Sequence, residues 1–225
     1  MDWIAIVPVK GTRQAKSRLE PLPARAELAI AFALDTVAAL AAARRVSGVI
    51  VVTASRELSA ELAQPGVTVV IEGDRRRDPT AIPVDAPRDG LNDAIRLGLD
   101  EARRRSPGAG RVVVTGDLPS LTPADVDAAL RLADEHPRSL IPDADGSGTT
   151  ALLALAGHEL TPRFGAGSRH AHEAHGHVVL DLGPESRIRR DVDDVADLDR
   201  ALALGVGART RALIARTAMP PSGTR

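Results

Sequence analysis

Two acidic stretches hold the residues best suited to chemistry. Asp117 stands in "GDLP", directly after the apolar run "VVVT". A carboxylate just past a strand end lies on the rim of an α/β sheet, where a hard divalent cation can bridge it to phosphate oxygens. The same residue can equally cap the turn that Pro119 sets. The second stretch is "RRDVDDVADLD", residues 189–199. Alternation along an extended chain is read here as sending Asp191 and Asp193 to opposite sides, one towards the site and one capping the next helix. Acids at a helix N-terminus also complement its dipole. That accounts for Asp193 and Asp194 better than for Asp191, which lies further upstream.

Three other stretches are suited to anions. "DGSGTT" (145–150) offers glycines for close backbone approach and hydroxyls for hydrogen bonds. "FGAGS" (164–168) opens a helix, so that Ser168 and nearby amides make either an anion site or a plain N-cap. "PVKGTRQAKSRLEP" follows the first strand, where a phosphate loop belongs. It holds one glycine, Gly11, but four basic residues: Lys10, Arg13, Lys16 and Arg18. It is either a cradle built from side chains or a solvated basic turn. Four of the six histidines, His170, His172, His175 and His177, crowd into "RHAHEAHGH". Their spacing fits no zinc signature, and they are read as a polar helix surface.

These residues need a scaffold, and strand-like and helix-like patterns alternate to supply one. Apolar runs at 3–9, 48–53 and 67–72 read as strands, separated by helical patterns at 24–45 and 54–66. A polar connection at 73–90 carries three prolines and is long for an α/β loop. Helix 91–105 and the strand and turn of 111–121 follow. Thr122 and Pro123 then mark a helix start as N-cap and first helical residue. Two strands around a Gly-rich turn are expected in 138–156. A turn into a short helix is expected at 163–176, a strand at 177–182 and a final helix at 194–205. The β-α-β-α-β opening implies a mostly parallel mixed sheet with helices on both faces. Residues 1–216 are read as a single domain and 217–225 as a flexible tail.

Composition narrows the function. The chain has 225 residues, a net charge of −1 and 1% aromatics. A base-stacking nucleic-acid binder needs aromatic platforms and a basic field, and both are missing. Cysteine is absent, which excludes disulfides, thiolate catalysis and cysteine-ligated zinc. The first apolar run is too short for a signal-peptide core, and none reaches the length of a membrane span. The expectation is a soluble cytoplasmic protein with no membrane partner.

Taken in order, "VPVKGTRQAKSRL", "LNDAI", "GDLPSL", "GSGTTALL", "RFGAGS", "RRDVDDVADL" and "LGVGART" resemble the 2-phospho-L-lactate/phosphoenolpyruvate guanylyltransferase family. The resemblance spans nearly the whole chain. It implies the GT-A-like nucleotidyltransferase (nucleotide-diphospho-sugar-transferase) fold and a place in coenzyme F-420 biosynthesis. Carried over by position, it implies metal binding by Asp117 and Asp191, with Mg2+ as cofactor. It implies acceptor contacts by Thr149, Gly165 and Ser168, and GTP phosphate contacts by Lys10, Lys16 and Arg18. Asn92 is placed on the nucleotide side. The catalytic assignments fall on Lys16 and Asp117. The 73–90 loop and the histidine cluster depart from the family pattern.

The implied reaction is GMP transfer from GTP to a small phosphorylated three-carbon acid. The acceptor phosphate is already ionised, so charge neutralisation and alignment do the work. Phosphoenolpyruvate is the expected acceptor, because the Ala- and Arg-rich composition suggests a bacterial genome and bacterial family members are associated with it. 2-Phospho-L-lactate and 3-phosphoglycerate are the alternatives. Molybdopterin guanylyl or cytidylyl transfer is disfavoured by the "KSRL" loop. A non-catalytic nucleotide-binding regulator is disfavoured by the two carboxylates.

Overall fold

The computed structural model describes residues 1–9, 24–73 and 90–218. Its centre is a seven-stranded sheet in the order β3-β2-β1-β4-β6-β5-β7. β1 (Trp3–Val9) pairs in parallel with β2 (Val46–Thr53) and β4 (Gly110–Val114), and β2 pairs in parallel with β3 (Val67–Ile71). β6 (Thr149–Ala154) runs antiparallel to both β4 and β5 (Arg138–Pro142). The expected mostly parallel, mixed sheet is therefore present.

Every residue of β1 is buried, because helices cover both faces. Trp3, Ala5, Val7 and Val9 point into one apolar cluster, beneath α1 (Arg25–Ala41), α2 (Arg56–Leu62) and α4 (Pro123–Ala133). Ile4 and Ile6 point into the other, beneath α3 (Gly90–Arg105). Thr122 caps α4 as expected: its hydroxyl accepts the Asp125 N–H while the Asp125 carboxylate accepts the Thr122 N–H.

Three elements differ from the sequence expectation. α1 stops at Ala41 rather than 45, because the following peptides are claimed elsewhere. The Arg44 and Arg45 N–H groups donate to the Asp127 carboxylate on α4, and the Arg45 carbonyl accepts from Trp3 at 2.9 Å. The strand expected over 177–182 shrinks to β7 (Val178–Val179), paired in parallel with β5. Leu180 still donates to the Leu140 carbonyl, but the next ladder bond would need an N–H from residue 142, which is proline. After α5 (Ser168–Glu173) and α6 (Val195–Leu204), the chain adds α7 (Ala208–Ala218), so the helix at 194–205 is not the final one. The cap of α7 is Asp35 of α1, which accepts from the Arg209 and Thr210 N–H groups at 2.9 Å each. No local signal announces that start.

Among the described residues, no helix is long and apolar enough to cross a membrane.

Candidate active site

The site lies beyond the carboxyl end of β4. Asp117 follows the strand by three residues, and three backbone tethers fix its turn. The Leu118 N–H donates to Thr36 Oγ1 at 3.1 Å, while that hydroxyl donates to the Phe32 carbonyl. The Val192 N–H donates to the Asp117 carbonyl at 3.1 Å, and the Gly207 N–H to the Pro119 carbonyl at 2.9 Å. Leu118 and Val192 are fully buried, which pins the turn from below. Residue 207 has to be glycine, since a Cβ there would overlap the Asp35 carboxylate that caps α7.

The tether from Val192 brings the second acidic stretch to the first. One oxygen from each of Asp117, Asp191 and Asp193 falls within 4.8 Å of the others. Asp117 and Asp191 are half-buried and Asp193 is exposed. The expectation that Asp191 and Asp193 diverge is wrong. Residues two apart in an extended segment share a face, and the residue between them, Val192, takes the buried side. The capping role goes to Asp194, whose side chain accepts the Asp197 N–H at 2.9 Å. That hydrogen bond is the main reason its carboxyl stays below the usual aspartate range. Asp193 is thus a site residue that the sequence reading assigned to the helix. Its signal was the two-residue spacing from Asp191. Three hard oxygen donors in this arrangement can hold a divalent cation such as Mg2+ or Mn2+.

β6 starts at the same end of the sheet. The Thr115 N–H donates to the Thr150 carbonyl at 2.9 Å, so Thr149 comes up beside the turn that carries Asp117. The Gly-rich turn before it is ordered by Asp143, whose carboxylate accepts the Ser147 and Gly148 N–H groups at 3.0 and 2.7 Å. Arg169 Nη1 donates to the Gly146 carbonyl, which ties the turn to α5. Gly165, at a φ of +135°, leads through Gly167 into α5, with Ser168 as its buried first residue. Thr149, Gly165 and Ser168 therefore belong to one connected unit, and its centre is a histidine.

His172 is fully buried, contrary to its expected place on a polar helix surface. Its Nδ1 lies 3.0 Å from Thr149 Oγ1, and its Nε2 accepts the Arg163 N–H at 3.0 Å. Phe164 packs against its ring edge-on, with centroids 5.1 Å apart. Burial first, then the charges of His177 and Arg163, lower its pKa to about 4. His177 is also buried, and burial lowers its pKa too. Only His170 and His175 are exposed as expected. The amphipathic period could not reveal this, because α5 has six residues, too few for one face to be distinguished.

Asn92 is tied to the same loop. Its side-chain amide pairs with one backbone residue, Phe164: Oδ1 accepts the N–H at 2.9 Å and Nδ2 donates to the carbonyl at 3.0 Å. Asn92 is buried and, through these two bonds, holds Phe164 of the Arg163–Ser168 loop against α3. Lys10, Lys16 and Arg18 lie outside the described residues, as does 74–89 of the long connection.

No family model matches the chain. A phosphoenolpyruvate guanylyltransferase of Streptomyces avermitilis is 43% identical over 229 residues, covering 100% of both chains. The chain belongs to the phosphoenolpyruvate guanylyltransferase family. The expected family resemblance is thereby borne out over its full length. Among solved structures, a 4-diphosphocytidyl-2C-methyl-D-erythritol synthase is similar with a TM-score of 0.57 at 13% identity, covering 90% of this chain and 98% of its own. Rv0371C of Mycobacterium tuberculosis H37Rv, in complex with manganese, gives 0.51 at 19% identity over 90% of this chain and 98% of its own. At such identities these two speak for the nucleotidyltransferase fold alone.

Proposed function

We propose that this chain transfers GMP from GTP to phosphoenolpyruvate and releases diphosphate. The observation that carries the reading is the full-length identity with phosphoenolpyruvate guanylyltransferases. An oxygen of the acceptor phosphate forms a bond to the GTP α-phosphorus, and the bond from that phosphorus to the α–β bridging oxygen breaks. Diphosphate departs with the bonding electrons. The nucleophile is ionised before it binds, so no side chain has to remove a proton. What the protein supplies is alignment and charge neutralisation.

The chain's residues divide between the two substrates. Thr149, Gly165 and Ser168 hold the acceptor, beside the turn of Asp117. Lys10, Lys16 and Arg18 run along the triphosphate, and Lys16 offsets the charge gained as the α-phosphorus becomes five-coordinate. Asn92, its amide given to Phe164, sets the acceptor loop instead of reading guanine. Asp117, Asp191 and Asp193 are the residues that would hold Mg2+, which supplies Lewis-acid neutralisation of phosphate charge when bound. The product is a guanylated three-carbon acid, as coenzyme F-420 biosynthesis requires of this family.

The test crosses GTP, ATP, CTP and UTP with phosphoenolpyruvate, 2-phospho-L-lactate and 3-phosphoglycerate, with and without Mg2+. Diphosphate release and product mass are read. GTP with phosphoenolpyruvate is expected to give the highest kcat/KM. Preference for 2-phospho-L-lactate would move the acceptor, and no diphosphate from any pair would leave a nucleotide-binding regulator.

A further inference from the structure

We propose that His172 is a positioning residue that aims the hydroxyl hydrogen of Thr149 at an anionic oxygen of the acceptor. The inference rests on the acceptor role given above to Thr149. It begins from the order of donors along one chain of hydrogen bonds. A backbone N–H can only donate, so His172 Nε2, which receives the Arg163 N–H at 3.0 Å, carries no hydrogen. In a neutral imidazole the hydrogen then sits on Nδ1. Nδ1 therefore donates to Thr149 Oγ1, 3.0 Å away, and the threonine oxygen accepts. Its own hydrogen has to be donated elsewhere, and no acceptor among the described residues takes it.

The surroundings keep this polarity fixed. His172 is fully buried, its ring is packed edge-on by Phe164, and its own carbonyl accepts a hydrogen bond from His177 Nδ1 at 3.1 Å. The Arg163 peptide that dictates the tautomer is held in turn by its neighbour Phe164, which Asn92 clamps. A protonated ring would set an Nε2–H donor against the Arg163 N–H donor and is disfavoured by burial. A threonine without such a donor behind it shares its hydrogen among several directions. With it, the hydroxyl is a committed donor, which suits a dianionic phosphate or a carboxylate and disfavours a cationic or donor-rich ligand.

The experiment separates the two ring nitrogens. H172Q keeps an acceptor near the Nε2 position and loses the Nδ1 donor, whereas H172N keeps a donor near Nδ1. H172Q is expected to raise the KM for phosphoenolpyruvate roughly tenfold while leaving the KM for GTP within about twofold. H172N is expected to recover part of that loss. In the double variant H172Q/T149V the acceptor KM should match that of T149V alone, because His172 acts through the hydroxyl. Additive effects, or an unchanged acceptor KM in H172Q, would overturn the inference. A direct readout needs no substitution at the residue. Imidazole 15N shifts of the wild-type protein, assigned to His172 through its contact with the Phe164 ring, should report hydrogen on Nδ1, and hydrogen on Nε2 would overturn the inference. If the wild-type protein itself releases no diphosphate with any acceptor, the proposed function fails. The nitrogen shifts still decide the tautomer in that case.

Discussion

The Val192 N–H donates to the Asp117 carbonyl, and that 3.1 Å bond joins two acidic stretches more than 70 residues apart in the chain. With the Val192 side chain fully buried, the residues on either side of it face the Asp117 carboxylate together. The carboxylate cluster is thus set by one backbone bond and one apolar anchor.

The carboxylate trio makes unequal demands on its members. D117N and D191N are half-buried changes of charge without change of shape, and each is expected to lower kcat at least roughly a hundredfold. D193N, at the exposed corner, should cost less. Thermal unfolding should be near wild type in all three. Mn2+ should raise the unfolding temperature of the wild-type protein and not of D117N, as ligand binding to the folded state requires. Near-normal turnover in D117N would remove that residue from the reaction.

Gly207→Ala tests the coupling between α7 and the site. The added methyl has to displace the Asp35 carboxylate, which caps α7. The expected loss is about 1–3 kcal/mol in urea unfolding. Turnover should fall too, because the Gly207 N–H holds the Pro119 carbonyl two residues from Asp117. D35A removes the cap without adding bulk and should lose about 1–2 kcal/mol.

Asn92 separates an acceptor-loop role from a nucleotide role. N92A leaves the buried N–H and carbonyl of Phe164 without their side-chain partner. A loss of about 2 kcal/mol in stability is expected, with the phosphoenolpyruvate KM rising more than the GTP KM. The opposite order of effects would return Asn92 to the nucleotide side.

The buried histidine gives stability a pH dependence of definite sign. His172 titrates at about 4 in the folded protein against an ordinary 6.5, so the unfolded chain binds the proton first as pH falls. Its contribution is complete above about pH 6.5 and is lost on descending towards 4. His177, lowered by burial as well, acts in the same direction. Urea unfolding of the wild-type protein should lose on the order of 2 kcal/mol between pH 7 and 4.5. H172Q should show a shallower slope over that window.

The sequence by itself determined the fold class, the order of the strands along the chain and the Thr122 cap, and its family motifs implied a shared role for Asp117 and Asp191. Each of these is written locally, in buried apolar runs, in turn residues beside them and in motifs a few residues long. Tertiary structure alone decided where the remaining side chains spend their hydrogen bonds. Asp35 caps α7 by accepting from Arg209, 174 residues away, Asn92 clamps Phe164 72 residues away, and His172 turns inward to Thr149. Asp193 joins the carboxylates because Val192, between it and Asp191, is drawn into the core. Periodicity reports which face of an element is apolar, but a lone polar residue turns inward only where a distant partner satisfies it, and that partner is set by how the layers pack.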